Sequence, residues 1–264
     1  MDPATYVEMD AIEGRHWWFR GKRRLVGPLV ERMLAGRDAG ATVLEVGCGT
    51  GGNLAWFAAR HPLARFLGLD FDAGAAAFSR AKSEAAPRGF GVLRGDGLRL
   101  PLADGAVAGA LALDIVEHFE DDAAVLAELF RVLEPGASLV LSVPAWPSLW
   151  SPHDEVLHHK RRYVPREFVA LVRAAGFEVA ERRGFNFLLL PPIWLVRRLK
   201  RGRAAARDDR QAETDFFDLP GPLNALLSGL FVIEAALVRL LPIRSGVSVL
   251  VRARKPGGAD GPRG

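Results

Sequence analysis

Between residues 43 and 54 the chain reads Val-Leu-Glu-Val-Gly-Cys-Gly-Thr-Gly-Gly-Asn-Leu. No other stretch constrains the fold as strongly. An apolar run carrying one acid, Glu45, meets glycines at 47, 49 and 51. Helical spacing follows, with Leu54, Phe57 and Ala58 on one face. This reads as strand, tight turn and helix. Glycines permit positive φ and let a ligand approach the backbone closely. The helix start offers unpaired N–H groups. A nucleotide-type ligand is therefore expected at the turn. The spacing is read as Glu-x-Gly-x-Gly-x-Gly, acid first, and not as the dinucleotide fingerprint G-x-G-x-x-G. That reading sets aside an NAD-dependent oxidoreductase. No lysine is placed to make a phosphate loop.

Glu45-Val-Gly47-Cys-Gly49-Thr-Gly51 resembles motif I of the class I S-adenosylmethionine-dependent methyltransferases. An acid beside the turn suits a ligand carrying an ammonium better than a phosphate. Further pieces follow in order. Phe66-Leu-Gly-Leu-Asp70 is an apolar run ending in an acid, and two carboxylate oxygens suit vicinal ribose hydroxyls. Phe71 follows and is expected to pack on the adenine. Gly95-Asp96-Gly97 comes after Val92-Leu93, and the resemblance gives Asp96 the adenine amino group. Residues 109–113 make a fourth buried strand, leading into Asp114-Ile-Val-Glu117-His118, which resembles the family's D-x-x-E-H segment. Leu133 to Val143 matches the turn into the fifth strand. The implied cofactor is S-adenosyl-L-methionine, held by Glu45, Gly47, Gly49, Gly51, Asp70, Phe71, Asp96 and Asp114.

The expected architecture is α/β: a doubly wound, Rossmann-like, seven-stranded sheet. Alternating elements from residue 42 to 182 argue for parallel strands, with ligands at their carboxyl ends. Residues 1–40 make an N-terminal helical lid, with a helix expected from Glu8 to Leu34. Residues 41–183 and 245–254 make the main domain. Residues 184–244 are a helical insertion before the last strand, and 255–264 a disordered tail. Trp17 or Trp18 is expected either to close the site or to anchor the helix on the core.

After strand five, His153-Asp154-(x)4-His-x-Arg161-Arg162-Tyr163 resembles a stretch in a bacterial branch similar to ubiquinone-biosynthesis methylases. Its second histidine is His158 or His159. A loop this long is expected to be functional. Trp18, His153, Asp154, His158, Arg161 and Tyr163 are the acceptor-site candidates. An Arg161–Asp154 ion pair fixing the loop is the structural alternative. His118 and His153 are the candidate catalytic bases, because imidazole titrates near neutrality. No Asn-Pro-Pro-Tyr-like motif follows strand four, which argues against nucleobase amines. No histidine–carboxylate spacing suggests a metal. Methyl transfer to oxygen of a small or lipid-linked acceptor is the expected function. The alternatives are carbon methylation of isoprenoid-quinone type and a non-catalytic cofactor-binding module.

Composition bounds the rest. A single cysteine, Cys48, excludes an internal disulfide and suggests a reducing compartment. A net charge of +4 without an aromatic-studded basic stripe argues against nucleic acid. The acidic start Met1-Asp2-Pro3 does not read as a signal peptide. No uncharged apolar run reaches the ~18 residues of a membrane span. A cytoplasmic protein is expected, with peripheral contact to the inner membrane face through 185–203. There, apolar residues and Trp194 lead into Arg197, Arg198, Lys200 and Arg201. The stripe from Leu223 to Leu241 is expected to pack on protein or lipid. Glu234, lying on that stripe, is expected to meet an arginine. The oligomeric state is left open.

Overall fold

The structure, a computed structural model, describes residues 3–204 and 219–257, without the side chains of 3 and 199–204. Residues 205–218 of the expected insertion and the tail from 258 lie outside the described residues. Seven strands form one sheet in the order β3-β2-β1-β4-β5-β7-β6. They are β1 (Thr42–Val46), β2 (Arg65–Asp70), β3 (Gly91–Arg94), β4 (Val107–Leu113), β5 (Leu133–Pro144), β6 (Glu178–Phe185) and β7 (Ser248–Arg254). The first five pair in parallel. The strands within 42–182 share one direction, as expected, and β7 runs antiparallel to both of its neighbours, β5 and β6. Phe185, the last residue of β6, pairs with Ser248, the first of β7. The chain therefore leaves and re-enters at the same end, and a parallel return would need a crossover to the other.

Helices cover both faces. In chain order they are α1 (Pro3–Ile12), α2 (Trp17–Leu34), α3 (Gly52–Arg60), α4 (Ala73–Ala85), α5 (Asp122–Val132), α6 (Pro152–Val156), α7 (Pro165–Ala174), α8 (Leu190–Ala204) and α9 (Gly221–Leu240). One core packs Leu126 and Leu129 of α5 and Phe168 and Val172 of α7 on the sheet. The other packs Val30 and Met33 of α2, Phe57 of α3 and Phe231 of α9. The strands are apolar on both sides because both faces are covered; every residue of β4 is buried.

The single helix expected over 8–34 is two helices. The chain breaks at Glu13–His16, around Gly14, and α2 begins at Trp17. Asn224 of α9 accepts the Trp17 N–H at 2.8 Å, satisfying one of the orphan donors at that helix start. The two helices approach closely at Gly21, where an added Cβ would lie 2.3 Å from the Phe231 ring. Trp18 stacks on Phe185 at 5.8 Å and meets Phe231 edge-on. Trp17 lies 5.9 Å from the same phenylalanine. The aromatic pair thus ties α2 to the insertion.

The buried stripe of α9 is Phe231, Glu234, Ala235 and Val238. Among the described residues Glu234 meets no arginine. Its carboxylate accepts the backbone N–H groups of Asn186 and of Leu188, the latter at 3.1 Å. Burial raises the Glu234 pKa against those bonds. Among the described residues α9 is long and apolar enough to cross a membrane by length and composition. The expectation that no uncharged run reaches that length stands, because Glu234 and Arg239 lie within the helix. Glu234, only 2% exposed, marks the side that packs on the domain. At the other end of the chain, Lys255, expected in the disordered tail, is held in place. Its ammonium donates to the carbonyls of Phe130 and Leu133 at 2.7 and 2.8 Å.

Candidate functional site at the carboxyl edge of the sheet

The turn after β1 is built as the glycines require. Gly47, Gly49 and Gly51 have φ of 72°, 55° and 81°. An added Cβ at Gly47 would strike Ile115 at 2.5 Å, and one at Gly51 would strike Ser79. The turn packs directly against the segments that follow β4 and β2. Asp70, at the tip of β2, locks it. One carboxylate oxygen accepts the Gly49 N–H at 2.8 Å, the other the Asp72 N–H at 3.0 Å. Burial raises the Asp70 pKa, and these two bonds oppose it. Each oxygen keeps a further lone pair.

Glu45 lies beneath the turn, 2% exposed. Asn53 Nδ2 donates to its Oε1 at 2.9 Å, and its Oε2 is buried without a hydrogen-bond partner. Burial pushes its pKa up to about 7, against Asn53, Lys22 and Arg23. Asp114, after β4, has φ of 56°. Its carboxylate is held by Lys22 at 2.6 Å and by the Ser142 hydroxyl at 2.8 Å. Burial would raise its pKa, but Lys22 and Ser142 hold it below the usual carboxylate range. Asp114 therefore ties α2 to the strand ends. Phe71 is 72% exposed, a bare ring beside the tip of β2. Asp96 is exposed too, its Oδ1 accepting the Leu98 N–H at 2.9 Å.

α1 lies against this turn. The Met9 methyl stands 3.2 Å from where a Cβ on Gly49 would be. Tyr6 is 7% exposed, and burial together with Asp70 and Asp72 raises its pKa. Lys82 of α4 pairs with Asp10 at 2.7 Å and with Glu13. Arg23 donates to the Glu13 carbonyl at 3.0 Å and to Asn53 at 3.2 Å. Gly52 accommodates this cluster, because a Cβ there would strike Glu13 and Arg23. Gly47, Gly49 and Gly52 also satisfy G-x-G-x-x-G. The glycine spacing therefore does not by itself separate this turn from a dinucleotide site, contrary to the sequence reading.

Beyond β4 and β5 the loop residues divide into two groups. Asp154 is fully buried. Its Oδ2 accepts the Ser151 N–H at 2.9 Å; its Oδ1 accepts Arg162 Nε at 2.8 Å and faces His159 Nδ1 at 2.9 Å. Arg161, the partner expected for Asp154, instead donates to Asp122 at 3.1 Å and to the Glu120 carbonyl. The Tyr163 hydroxyl donates to Asp122 at 2.9 Å. Arg161 and Tyr163 thus dock the loop on the start of α5. Of the two candidate histidines, His158 is exposed with φ of 57°, and His159 turns inward.

His159 brings together the two histidines named as bases. Its ring centroid is 4.8 Å from that of His118 and 6.4 Å from that of His153, both near perpendicular. Burial, then His159, lowers the His118 pKa to about 3, so His118 is neutral near pH 7. Glu117, fully buried beside them, has neither carboxylate oxygen hydrogen-bonded. The donor atoms of Glu117, His118 and His159 lie within 4.8 Å of one another. Sequence spacing suggested no such grouping. Glu117 and His118 are adjacent, but His159 arrives from a separate loop.

Residues 44–141 match the family described as a methyltransferase domain. The chain carries a methyltransferase domain. A protein of Mycolicibacterium smegmatis named as a probable S-adenosylmethionine-dependent methyltransferase is 35% identical over 64% of this chain and 62% of its own length. The O-methyltransferase rstn1 of Aspergillus nomiae is 29% identical over 60% of this chain and 72% of its own. A demethylmenaquinone methyltransferase of Thermus thermophilus is 34% identical over 46% and 53%. The chain thus spans about half to three quarters of the length of these relatives. Among solved structures, the complex of the Haloferax volcanii Trm112 methyltransferase activator with a methyltransferase aligns at a TM-score of 0.61. The identity there is 20%, over 98% of this chain and 97% of that one. The methyltransferase domain has its turn, its acids and its histidines on one edge of a Rossmann-like sheet.

Proposed function

We propose that this chain transfers a methyl group from S-adenosyl-L-methionine to an oxygen of a small or lipid-linked acceptor. The observation that carries this reading is the juxtaposition on one sheet edge. Three positive-φ glycines stand beside Asp70, and Glu45 keeps a buried carboxylate oxygen unpaired. Such a place favours a ligand with an ammonium group and ribose hydroxyls. Gly47, Gly49 and Gly51 form its cradle, Asp70 takes the ribose, and Asp96 and Phe71 take the adenine. Asp114 supports the site through Lys22 rather than by direct contact. When bound, the cofactor supplies an activated methyl group on a sulfonium. The protein orients the acceptor, excludes water and receives a proton where the acceptor is a hydroxyl. His118 and His153 are the candidates to receive it, and His153 takes that role where His118 is otherwise engaged.

A lipid-linked acceptor is supported by an apolar cavity of about 510 Å³ lined by Trp146, Leu149, Leu190, Pro191, Trp194 and Leu195. α8 exposes Trp194, Leu195 and Val196, and Arg198 sits over the Trp194 ring. That is the composition of a peripheral contact with anionic headgroups.

Carbon methylation is the second reading, favoured by the likeness to a demethylmenaquinone methyltransferase. The test is incubation of the full chain with methyl-labelled cofactor and a panel of catechols, phenols and quinols, with the product's methyl position read by NMR. An O-methyl product supports the first reading and a ring-methyl product the second. No turnover across the panel, with the cofactor bound, would favour a non-catalytic module.

A further inference from the structure

Glu117 presents a physical problem that the methyl-transfer reading does not resolve. Its side chain is fully buried, and neither carboxylate oxygen accepts a hydrogen bond. The nearest nitrogen paired with it, His159 Nε2, is 3.9 Å away, too far for a hydrogen bond. A buried carboxylate without partners is costly and is ordinarily paired or bound to a metal. The cations in its field are already committed: Lys22 holds Asp114, and Arg162 holds Asp154.

We propose that Glu117, His118 and His159 form a binding site for one divalent cation of the zinc type. Their donor atoms lie within 4.8 Å of one another. Metal bonds of about 2.0–2.2 Å would set donors somewhat closer, a change that small side-chain rotations supply. The donor set is one carboxylate and two imidazoles, which suits zinc, cobalt or iron better than magnesium or calcium. Three protein ligands leave a coordination position open.

The orientation of His159 is an independent observation. Its Nδ1 stands 2.9 Å from Asp154 Oδ1. Asp154 is fully buried and bonded to Arg162 at 2.8 Å. Its ion pair with Arg162 makes it an acceptor for the imidazole. Nδ1 is thus turned to Asp154, and Nε2 is the ring nitrogen that faces Glu117, 3.9 Å away. A carboxylate that fixes the tautomer of a histidine is the usual outer shell of a metal ligand. The backbone holds the pair in place, since Lys160 N–H donates to the Glu117 carbonyl at 2.8 Å. His118 offers the second imidazole nitrogen within that distance. The site's use rests on the methyl-transfer reading. A hydroxyl on the open position would release its proton to water more readily, because bound cations lower the pKa of coordinated oxygen.

The test uses the full chain, stripped with chelator and dialysed, then titrated with Zn²⁺ by calorimetry and with Co²⁺ by visible absorption. One equivalent of each metal is expected, with cobalt bands typical of nitrogen and oxygen ligands. Glu117→Gln and His159→Gln should each weaken binding at least 100-fold, while His61→Ala should leave it unchanged. Circular dichroism and S-adenosylhomocysteine affinity report whether each variant is folded. Absence of stoichiometric binding by the wild type, or full affinity in both variants, overturns the site. Should both variants unfold, binding by the wild type read against His118→Gln decides. Homocysteine-derivative binding without metal binding would sink the metal site alone. Metal binding without it would sink the methyl-transfer reading and leave the site standing.

Discussion

His159 Nδ1 lies 2.9 Å from Asp154 Oδ1, and the same oxygen accepts Arg162 Nε at 2.8 Å. One fully buried carboxylate thereby fixes a histidine ring, an arginine and the start of α6 through the Ser151 N–H. Loss of Asp154 would leave the Arg162 charge buried without its partner, a defect worth about 3–5 kcal/mol. Asp154→Ala is expected to destabilise the chain by that order in urea unfolding. The native pKa of Asp154 is depressed below its unfolded value, because His159 and Arg162 outweigh the effect of burial. Its contribution to stability is therefore complete above about pH 4, the unfolded carboxylate value, and is lost as the pH falls below that. Asp154→Asn should flatten the acid limb of the stability curve below pH 4. An unaltered acid limb would contradict the assignment.

The crossing of α2 and α9 gives a second prediction. A Cβ at Gly21 would sit 2.3 Å from the Phe231 ring, which is itself buried. Gly21→Ala should cost about 1–3 kcal/mol by overpacking, despite the better helix propensity of alanine. Gly229, with nothing within 4 Å of its Cβ position, is the control. Gly229→Ala should be neutral or stabilising in the same thermal unfolding experiment.

Glu234 gives a third. It accepts two backbone N–H groups from the loop that leads into α8. Glu234→Ala leaves both donors buried and unpaired, at about 1–3 kcal/mol each. Hydrogen exchange should show faster exchange at Asn186 and Leu188, with little change in β1. Equal protection in the variant would mean that the loop is held by other contacts.

Much of the fold was legible because it is local. Apolar runs ending in Asp70 and Asp114 announce strands whatever surrounds them, and glycines at 47, 49 and 51 announce the turn between β1 and α3. The direction of β7 was not legible, because it depends on where the chain returns after 184–244. Nothing between Ser248 and Arg254 encodes that end. The role of Trp18 was equally hidden: a tryptophan on a lid and one on a core have the same helical spacing. In the structure it meets Phe231, far along the chain. Arg161 and Arg162 are adjacent and chemically identical. Only the loop's course gives Asp154 to the second and Asp122 to the first. The same holds for His158 and His159, where a positive φ at His158 sends the two rings to different environments.

The central claim is that the glycine turn and Asp70 hold S-adenosyl-L-methionine. Calorimetric titration of the wild type and Asp70→Ala with S-adenosylhomocysteine tests it most directly. Removing a carboxylate that accepts from two hydroxyls costs about 1.5–3 kcal/mol per charge-assisted bond. The account predicts one equivalent bound by the wild type and at least a tenfold loss of affinity in Asp70→Ala, with the variant still folded. Wild-type protein that binds nothing, or a variant that binds as tightly as the wild type, would contradict it.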